Sequence, residues 1–502
     1  MIDWSRHNRQ SDWTKINACV VGLGVAGFAA ADALIEVGAK VTVIDNGNGE
    51  RQKEHGTVLE ILGAQIYLDY KGEIPANTNL LVVSPGVRPS AEIINEAQKK
   101  NIEIWGEFEL AWRLRPLDFP APWLCVTGTN GKTTTATLLH ELFSHLGYSC
   151  GLLSTVVNKI GQKEVPATHT TPNPVALNAL LREMVEAGCK YCFMEVSSHA
   201  IDQKRIGGLH FRAAGFTNIT HDHLDYHHTF AAYLKVKKSF FDHLDPTAFA
   251  VVNTDDRNGS VMLQNCKAKA FSYALKSPAD FKGKIIENSL GGLVLQINGQ
   301  EVHTRLVGAF NASNILLVYG IATSLGQEPL EVLRIISELK HVAGRFEHLR
   351  SRNGRTAIID YAHTPDALEN VLDTIAAFRN GKQIITVVGC GGDRDKEKRP
   401  KMAAIAASKS QQVIFTSDNP RSEDPLQIIA AMEAGVKDAD QHKIFTVVDR
   451  LQAIKMAIVM SQPDDIILIA GKGHETYQEI NGIRTPFDDV ATTQNLFNQL
   501  DK

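Results

Sequence analysis

The sequence predicts a three-domain α/β protein, and three observations carry that prediction. The chain has 502 residues, which at about 150 residues per domain suggests three separate cores. Short apolar runs that end in Gly, Asp, Ser or Thr and lead into helix-patterned stretches recur along it, the pattern of parallel strands covered by helices. These runs fall into three groups separated by two joints, giving expected domains at 1–120, 121–342 and 343–502.

The first group holds ACVVG from Ala18, VTVID from Val41 and LLVVSPG from Leu80. A glycine-rich turn, GLGVAG with Gly22, Gly24 and Gly27, follows its first strand, and Asp45 ends the next one, 21 residues after Gly24. That spacing matches a dinucleotide fingerprint, so residues 1–120 read as a Rossmann-like domain for a nucleotide, NAD being one candidate. Arg115 to Pro122, RPLDFPAP, holds three prolines and reads as a linker.

The second group holds WLCVTG from Trp123, CFMEVSS from Cys192, GFTNIT from Gly215 and FAVVNTDD from Phe249. Between Ala268 and Leu306 the pattern alternates around Asn298–Gln300, NGQ, which predicts an inserted hairpin. The joint His341–Arg345 precedes the third group, with TAIIDYAH from Thr356, QIITVVGCGG from Gln383, QVIFTSDNP from Gln412 and DIILIAGKGH from Asp465, a second Rossmann-like pattern.

Composition excludes several classes of function. Lys and Arg number 52 against 56 Asp and Glu, a formal charge of −4, and no block of like charge stands out, which argues against a nucleic-acid or membrane-surface binder. No apolar run approaches the roughly 20 residues of a membrane span. The start, MIDWSRHNRQSDW, lacks the basic-then-apolar layout of a secretion signal, and a cytoplasmic location is expected. Seven cysteines at irregular spacing form no disulfide framework, and the lone Cys189–Cys192 pair reads as buried strand residues.

The most informative segment is VTGTNGKTTTATLL, Val126 to Leu139. A buried strand ends at Thr127, a turn of Gly128, Thr129, Asn130 and Gly131 follows, and a helix opens near Lys132 with Thr133 and Thr134. Such a turn aims backbone N–H groups and a helix N-terminus at phosphate oxygens; Lys132 can neutralise outer phosphates and the Thr133 hydroxyl can ligate magnesium. This makes the middle group a P-loop ATPase-type domain. The loop is shorter than GxxxxGK[ST], because Val126 stands where the first glycine belongs.

A phosphate site needs a hard cation beside it, and Glu195 and one histidine of TNITHDHLDYHH, Thr217 to His228, both at strand ends of this group, are expected to share it. His221, His227 and His228 read as polar loop and capping residues. YLKVKKSFF, from Tyr233, reads on pattern alone as an exposed basic helix face with all three lysines solvated. In the third group GCGGDRDKEKRP, DNPRSEDP and GKGHE each follow a strand. There Arg394 and Arg421 offer forked donors for carboxylates and Glu475 an acceptor for an ammonium, a set suited to a zwitterionic amino acid.

From about Trp123 onward the chain resembles the Mur ligases, most closely the MurE type. GTNGKTT, HTTP, EVSSHAIDQKRI, DHLDYH, DYAHTPD, GGDRDKEKRP, DNPR and GKGHE occur in the family's order. The first 120 residues, with GLGVAG, Asp45 and SPGV at Ser84–Val87, resemble instead the uridine-binding domain of the MurD type, which implies an exchanged domain.

The resemblance implies ATP-driven amide synthesis in peptidoglycan building. ATP phosphorylates the D-glutamate carboxylate of a UDP-muramoyl dipeptide, and the amine of meso-diaminopimelate attacks the acyl phosphate. It further implies that Lys132, Lys237 and His223 are catalytic, that Gly128–Thr134, Asn311, Arg345 and Asp360 contact ATP, with Asn311 near adenine, and that Thr133, Glu195 and His223 surround Mg2+. Lys237 aligns with a lysine carbamylated in the family, N6-carboxylysine, a further magnesium ligand that overturns the solvated reading. Gly24, Asp45, Thr170, Thr171, Ser197, Gln203 and Arg205 match UDP-sugar-peptide contacts, and Arg394, Asn419, Arg421, Gly471 and Glu475 the diaminopimelate pocket. The DNPR form resembles the meso-diaminopimelate-adding branch, since Arg421 can pair with the distal carboxylate that lysine lacks.

The expected partners are small molecules, the UDP-muramoyl dipeptide, meso-diaminopimelate and ATP, with no nucleic acid and no membrane insertion, for a monomer. Three alternatives stand beside this reading. A D-glutamate-adding ligase would follow the N-terminal domain, an NAD-dependent oxidoreductase would own GLGVAG and Asp45 but leave GTNGKTT unexplained, and an inactive scaffold would follow from broken domain geometry.

Overall fold

The structure, a computed structural model, describes residues 2–4, 7–84, 87, 91–114, 123–167, 169–220, 222–379 and 381–500. The expected linker Arg115–Pro122, part of SPGV and His221 lie outside the described residues. Three sheets form three α/β units, each with apolar residues buried on both faces.

The N-terminal sheet has five parallel strands in the order Gln65–Tyr67, Lys40–Ile44, Asn17–Val21, Leu80–Val83, Glu103–Gly106. The chain reverses its winding at Asn17–Val21, the place where such sheets open a ligand crevice. GLGVAG leaves that strand there. A Cβ on Gly27 would lie 1.7 Å from the Gly22 carbonyl oxygen, so this glycine lets the helix Val25–Glu36 pack tightly on the turn.

The central sheet has eleven strands. Its middle is parallel and centred on Trp123–Thr127, flanked by Tyr191–Glu195 and Phe211–Phe216. All five residues of Trp123–Thr127 are buried, which explains the unbroken apolar run where an alternating one would mark a half-exposed strand. The hairpin expected around NGQ is larger than the pattern indicated: Phe281–Ser289, Gly292–Ile297 and Gln300–Thr304 form an antiparallel meander that extends the sheet through a parallel pair with Lys269–Ala274.

The C-terminal sheet orders six strands as Glu347–Arg350, Thr356–Asp360, Ile466–Ala470, Ile384–Val388, Gln412–Phe415, Ile444–Thr446, all parallel but the first, with a separate hairpin Tyr477–Ile480 and Ile483–Pro486. Helices following the strands open on capped N-termini. Thr364 caps Pro365–Phe378 by accepting from Ala367 N–H, with proline at the first helical position, and Asn173 does the same for Pro174–Glu186.

One expectation from pattern is corrected. In the helix Phe230–Asp242, Tyr233, Lys237, Phe240 and Phe241 are buried, the i, i+4, i+7, i+8 stripe of an amphipathic helix. Lys237 therefore lies on the core face at 1% exposure, while Lys235 is exposed and Lys238 pairs with Asp242. Cys189 and Cys192 are buried free thiols. Among the described residues no helix is long and apolar enough to cross a membrane.

Candidate active site

The turn after Trp123–Thr127 is shaped by its neighbours. A Cβ on Gly131, where φ is 84°, would fall 2.4 Å from the Asn314 Oδ1, and one on Gly128 would fall 1.8 Å from the Thr217 Oγ1. Thr217 donates to the Asn130 carbonyl at 2.6 Å, and the Asn218 side chain accepts from Asn130 N–H at 2.9 Å. The loop is thus clamped from the neighbouring strand end by Thr217 and Asn218 and from the helix Ala309–Ser324 by Asn314. None of these three was singled out from sequence.

Lys132 opens the helix Lys132–His145 and curls back to donate to the Gly128 and Thr129 carbonyls, at 3.0 and 2.9 Å. Burial lowers its pKa. Thr133 and Thr134 are buried on the same first turn, and the Thr133 hydroxyl accepts from Arg345 at 3.0 Å. Arg345 also lies over the Tyr361 ring, 4.7 Å from its centroid. Lys237 donates to the Gly128 carbonyl at 2.8 Å and to the Thr127 hydroxyl at 3.3 Å, and burial with Lys132 close by drives its pKa well below the ordinary lysine value.

Glu195 ends the adjacent strand. Its two carboxylate oxygens accept from the Thr155 N–H at 2.7 Å and the Thr155 hydroxyl at 3.2 Å. Around it, Thr170 meets the Thr155 hydroxyl at 3.1 Å, Thr171 donates to the Glu195 carbonyl, Ser197 caps a short helix, and Arg205 joins the Thr171 carbonyl to the Gln203 side-chain oxygen. The five positions matched to the sugar-peptide here are therefore contiguous in space.

A cleft with a cavity volume of 1360 Å³ separates this unit from the C-terminal one. Thr220, Asp222 and His223 line one wall; Arg394, Asn419, Arg421, Gly471 and Glu475 line the facing wall, so all five residues matched to the amino-acid pocket gather with His223. Side-chain hydrogen bonds join the two units, from Asn130 and Thr220 to the Asp366 carboxylate, at 2.7 and 3.3 Å, and from Arg345 to Thr133. His223, at φ 55°, stands beside Asp222 with 3.4 Å between Nε2 and Oδ2; burial pushes its pKa down to about 4 against the pull of Asp222. Asp360 accepts from Phe346 N–H, and burial raises its pKa to about 6 although Arg345 works against the rise.

On the facing wall, Arg421 donates to the Gly392 carbonyl at 2.7 Å and Arg394 to the Asp393 carbonyl at 3.1 Å. Asn419 donates to Glu475 at 2.7 Å, and Tyr361 reaches the other Glu475 oxygen at 3.4 Å.

Of the expected site residues, His223, Arg394, Asn419, Arg421, Gly471 and Glu475 line this cleft, while the phosphate turn, Glu195, Lys237 and the sugar-peptide positions lie outside its lining, and three others are committed to their own local structure. Asn311 is buried, donating to the Val307 carbonyl and accepting from Asn314, so its amide is committed within its own helix and reaches the loop only through Asn314. Asp45 accepts from Leu23 N–H and Gly47 N–H, bracing its own turns, and Gly24 caps its helix with open space beside it.

Among the described residues no three His, Cys, Asp or Glu converge as a metal cluster. The Thr133 hydroxyl, the Glu195 carboxylate and the His223 imidazole, held neutral at pH 7 by its lowered pKa, are chemically suited to magnesium, but here Arg345 holds Thr133 and Thr155 holds Glu195.

Comparison with known proteins agrees with this arrangement. Residues 126–322 match the Mur ligase middle domain, 344–473 the Mur ligase glutamate ligase domain and 16–106 the MurD-like N-terminal domain. The UDP-N-acetylmuramoyl-L-alanyl-D-glutamate–2,6-diaminopimelate ligase of Phocaeicola vulgatus is 56% identical over 373 residues, 74% of this chain and 77% of its own. That of Cytophaga hutchinsonii is 55% identical over 377 residues, 75% of this chain and 78% of its own. A solved ligase of the same description is 30% identical, covering 92% of this chain and 93% of its own with a TM-score of 0.59. The alanine ligase MurC of Thermotoga maritima, at 18% identity, 97% and 99% coverage and a TM-score of 0.54, shares the fold. With all three domain types matched and curated relatives more than half identical over its central and C-terminal parts, this chain belongs to the Mur ligase family, MurE-type in those parts and MurD-like in its N-terminal part.

Proposed function

We propose that the chain is an ATP-dependent amide ligase that adds meso-diaminopimelate to UDP-N-acetylmuramoyl-L-alanyl-D-glutamate in peptidoglycan synthesis. The observation that carries the reading is the single cleft in which the phosphate-loop unit faces Arg394, Asn419, Arg421 and Glu475. A free carboxylate is a poor electrophile, so the D-glutamate carboxylate oxygen first attacks the γ-phosphorus of ATP and ADP leaves. The neutral amine nitrogen then attacks the acyl carbon, the C–N bond forms, inorganic phosphate leaves, and the nitrogen gives up one proton and keeps one hydrogen as the amide N–H.

In this reading the Gly128–Thr134 turn holds the triphosphate, and Lys132 leaves the Gly128 and Thr129 carbonyls for the outer phosphates. Arg345, released from Thr133, adds a second cation to the transferring phosphoryl group, with Asp360 behind it and Asn311 and Asn314 supporting the loop. Thr133, Glu195 and His223 would hold magnesium, which when bound neutralises charge on the phosphates. Lys237, its burial disfavouring the ammonium, is suited to react with carbon dioxide as the free amine, and the resulting N6-carboxylysine would place an anion beside Lys132.

Thr170, Thr171, Ser197, Gln203 and Arg205 receive the peptide, and the Gly22–Gly27 turn receives the uridine end. Arg421 and Arg394 fit carboxylates of the amino acid, and Glu475 an ammonium. The test is phosphate release: it should require the UDP-muramoyl dipeptide and meso-diaminopimelate together. The MurD-like N-terminal match favours one second reading, D-glutamate addition, for which release would depend on D-glutamate and UDP-muramoyl-L-alanine.

A further inference from the structure

Behind the amino-acid wall lies a cation outside the cleft lining. Lys472 follows Gly471 in the GKGHE turn and is 0% exposed. Its Nζ donates to the Asn419 Oδ1 at 3.2 Å and to the Glu475 Oε2 at 3.2 Å, and stands 3.7 Å from the Asp418 Oδ1. All three of those neighbours belong to residues that line the cleft, while Lys472 does not line it.

Two consequences follow. The first concerns the amide of Asn419. Its oxygen accepts from Lys472 and, at 2.9 Å, from Glu479 N–H, so the amide has one orientation, with its nitrogen donating toward Glu475. An Asn held this way spends one N–H on Glu475 and keeps the second as a donor, the chemistry a substrate carboxylate needs. The second is charge. Asp418 and Glu475 carry two formal negative charges, and the nearby Arg450 is consumed by a buried two-bond pair with Asp489 at 2.8 Å each. Lys472 then leaves the Asp418–Glu475 pair with a formal charge of −1, the complement of one ammonium, beside Arg394 and Arg421, whose charges suit carboxylates. The Asp418 Oδ1, buried without a hydrogen-bond partner among the described residues, is a further acceptor on this wall.

We propose that Lys472 is a positioning residue for the amino-acid substrate: it fixes the Asn419 amide with its donors toward the pocket and trims the Asp418–Glu475 pair to one net charge, so the wall takes up an ammonium and a carboxylate together. The inference rests on the amino-acid-ligase reading. The experiment uses the full chain with Lys472→Met, which keeps length and loses charge, and Lys472→Gln, which keeps a donor. For Lys472→Met the diaminopimelate KM should rise at least tenfold, with the KM values for ATP and the sugar peptide within twofold of the parent. Lys472→Gln should recover part of that loss.

A diaminopimelate KM within twofold of the parent in a folded variant, or equal rises in all three KM values, would overturn the proposal. So would a fall confined to kcat. Failure of both variants to fold, read by thermal unfolding and nucleotide affinity, would assign Lys472 to the fold of the turn and equally overturn it. If the parent chain itself showed no diaminopimelate-dependent phosphate release, the ligase reading would fail first, a result distinct from all of these.

Discussion

Arg421 stands in the left-handed region at φ 51°, with its backbone N–H bonded to Glu479 and its side chain aimed along the Gly391–Gly392 backbone into the cleft. A charge-assisted hydrogen bond contributes about 1.5–3 kcal/mol, so Arg421→Ala should raise the diaminopimelate KM by about 10- to 100-fold while nucleotide affinity is retained; steady-state kinetics against both substrates checks this. Lys237→Ala removes one of the two amines that donate to the Gly128 carbonyl, the one on the core face of its helix, and turnover should fall at least about 100-fold, with no recovery in bicarbonate. Near-parental turnover would take Lys237 out of the site. Asp360 makes a pH prediction. Its pKa is raised by burial to about 6, so the folded chain holds that proton more tightly than the unfolded one. Its contribution is most favourable at low pH and is lost as pH rises through about 6. Asp360→Asn should therefore gain more stability over the parent at pH 8 than at pH 5, by about 1 kcal/mol, in thermal unfolding without ligands.

At the scale of elements, the strand, turn and helix from Trp123 to His145 were legible because each part has a local cause: a doubly buried strand, glycines where φ is positive, and a helix that starts at the turn. Gly131→Ala must push a methyl group into the Asn314 side chain and strain φ 84°, so ATP affinity should drop at least about tenfold while the remaining domains unfold as in the parent, measured by nucleotide titration and calorimetry. The lysine helix was the harder case. Its polar letters suggested an exposed face, but Tyr233, Phe240 and Phe241 set a stripe that includes Lys237, and the hydrophobic spacing, read without regard to charge, carried the signal. GKGHE illustrates the opposite limit, since nothing in its spacing distinguishes the lysine that turns inward from the glutamate that lines the cleft.

For the whole molecule, an N-terminal part of the MurD-like type is joined to a MurE-type remainder through the packing of Glu107–Leu114 on Pro174–Glu186 and a Glu36–Arg182 bridge of 2.7 Å. The MurE acceptor is one residue longer than the MurD acceptor, up to about 3.6 Å when extended, yet its carboxylate must reach the same γ-phosphate. The uridine site is therefore expected to sit displaced from its place in MurD-type ligases, or the peptide to be folded. A crystal structure of the substrate complex, superposed on the central domain of a MurD-type ligase, tests this; coincident uridine sites with an extended peptide would contradict it. The cleft between the central and C-terminal units is held by few bonds, chiefly those of Asp366 and Arg345, which suits closure around three substrates.

Local patterns were enough to read the class of the three sheets and the strand–turn–helix around Gly128–Lys132, because strand burial and turn glycines leave marks close by in the chain. Contacts across long stretches of chain were decided only by folding: Thr217, Asn218 and Asn314 around the phosphate turn, Arg345 on Thr133, and Lys472 behind Asn419. Asn311 and Asp45 make the same point in reverse, since each has the residue type its motif asks for and spends it on neighbours that only the packed chain supplies. A side chain's partners are set by which strand ends the sheet order brings together, and that order is a property of the assembled cores that no single motif contains.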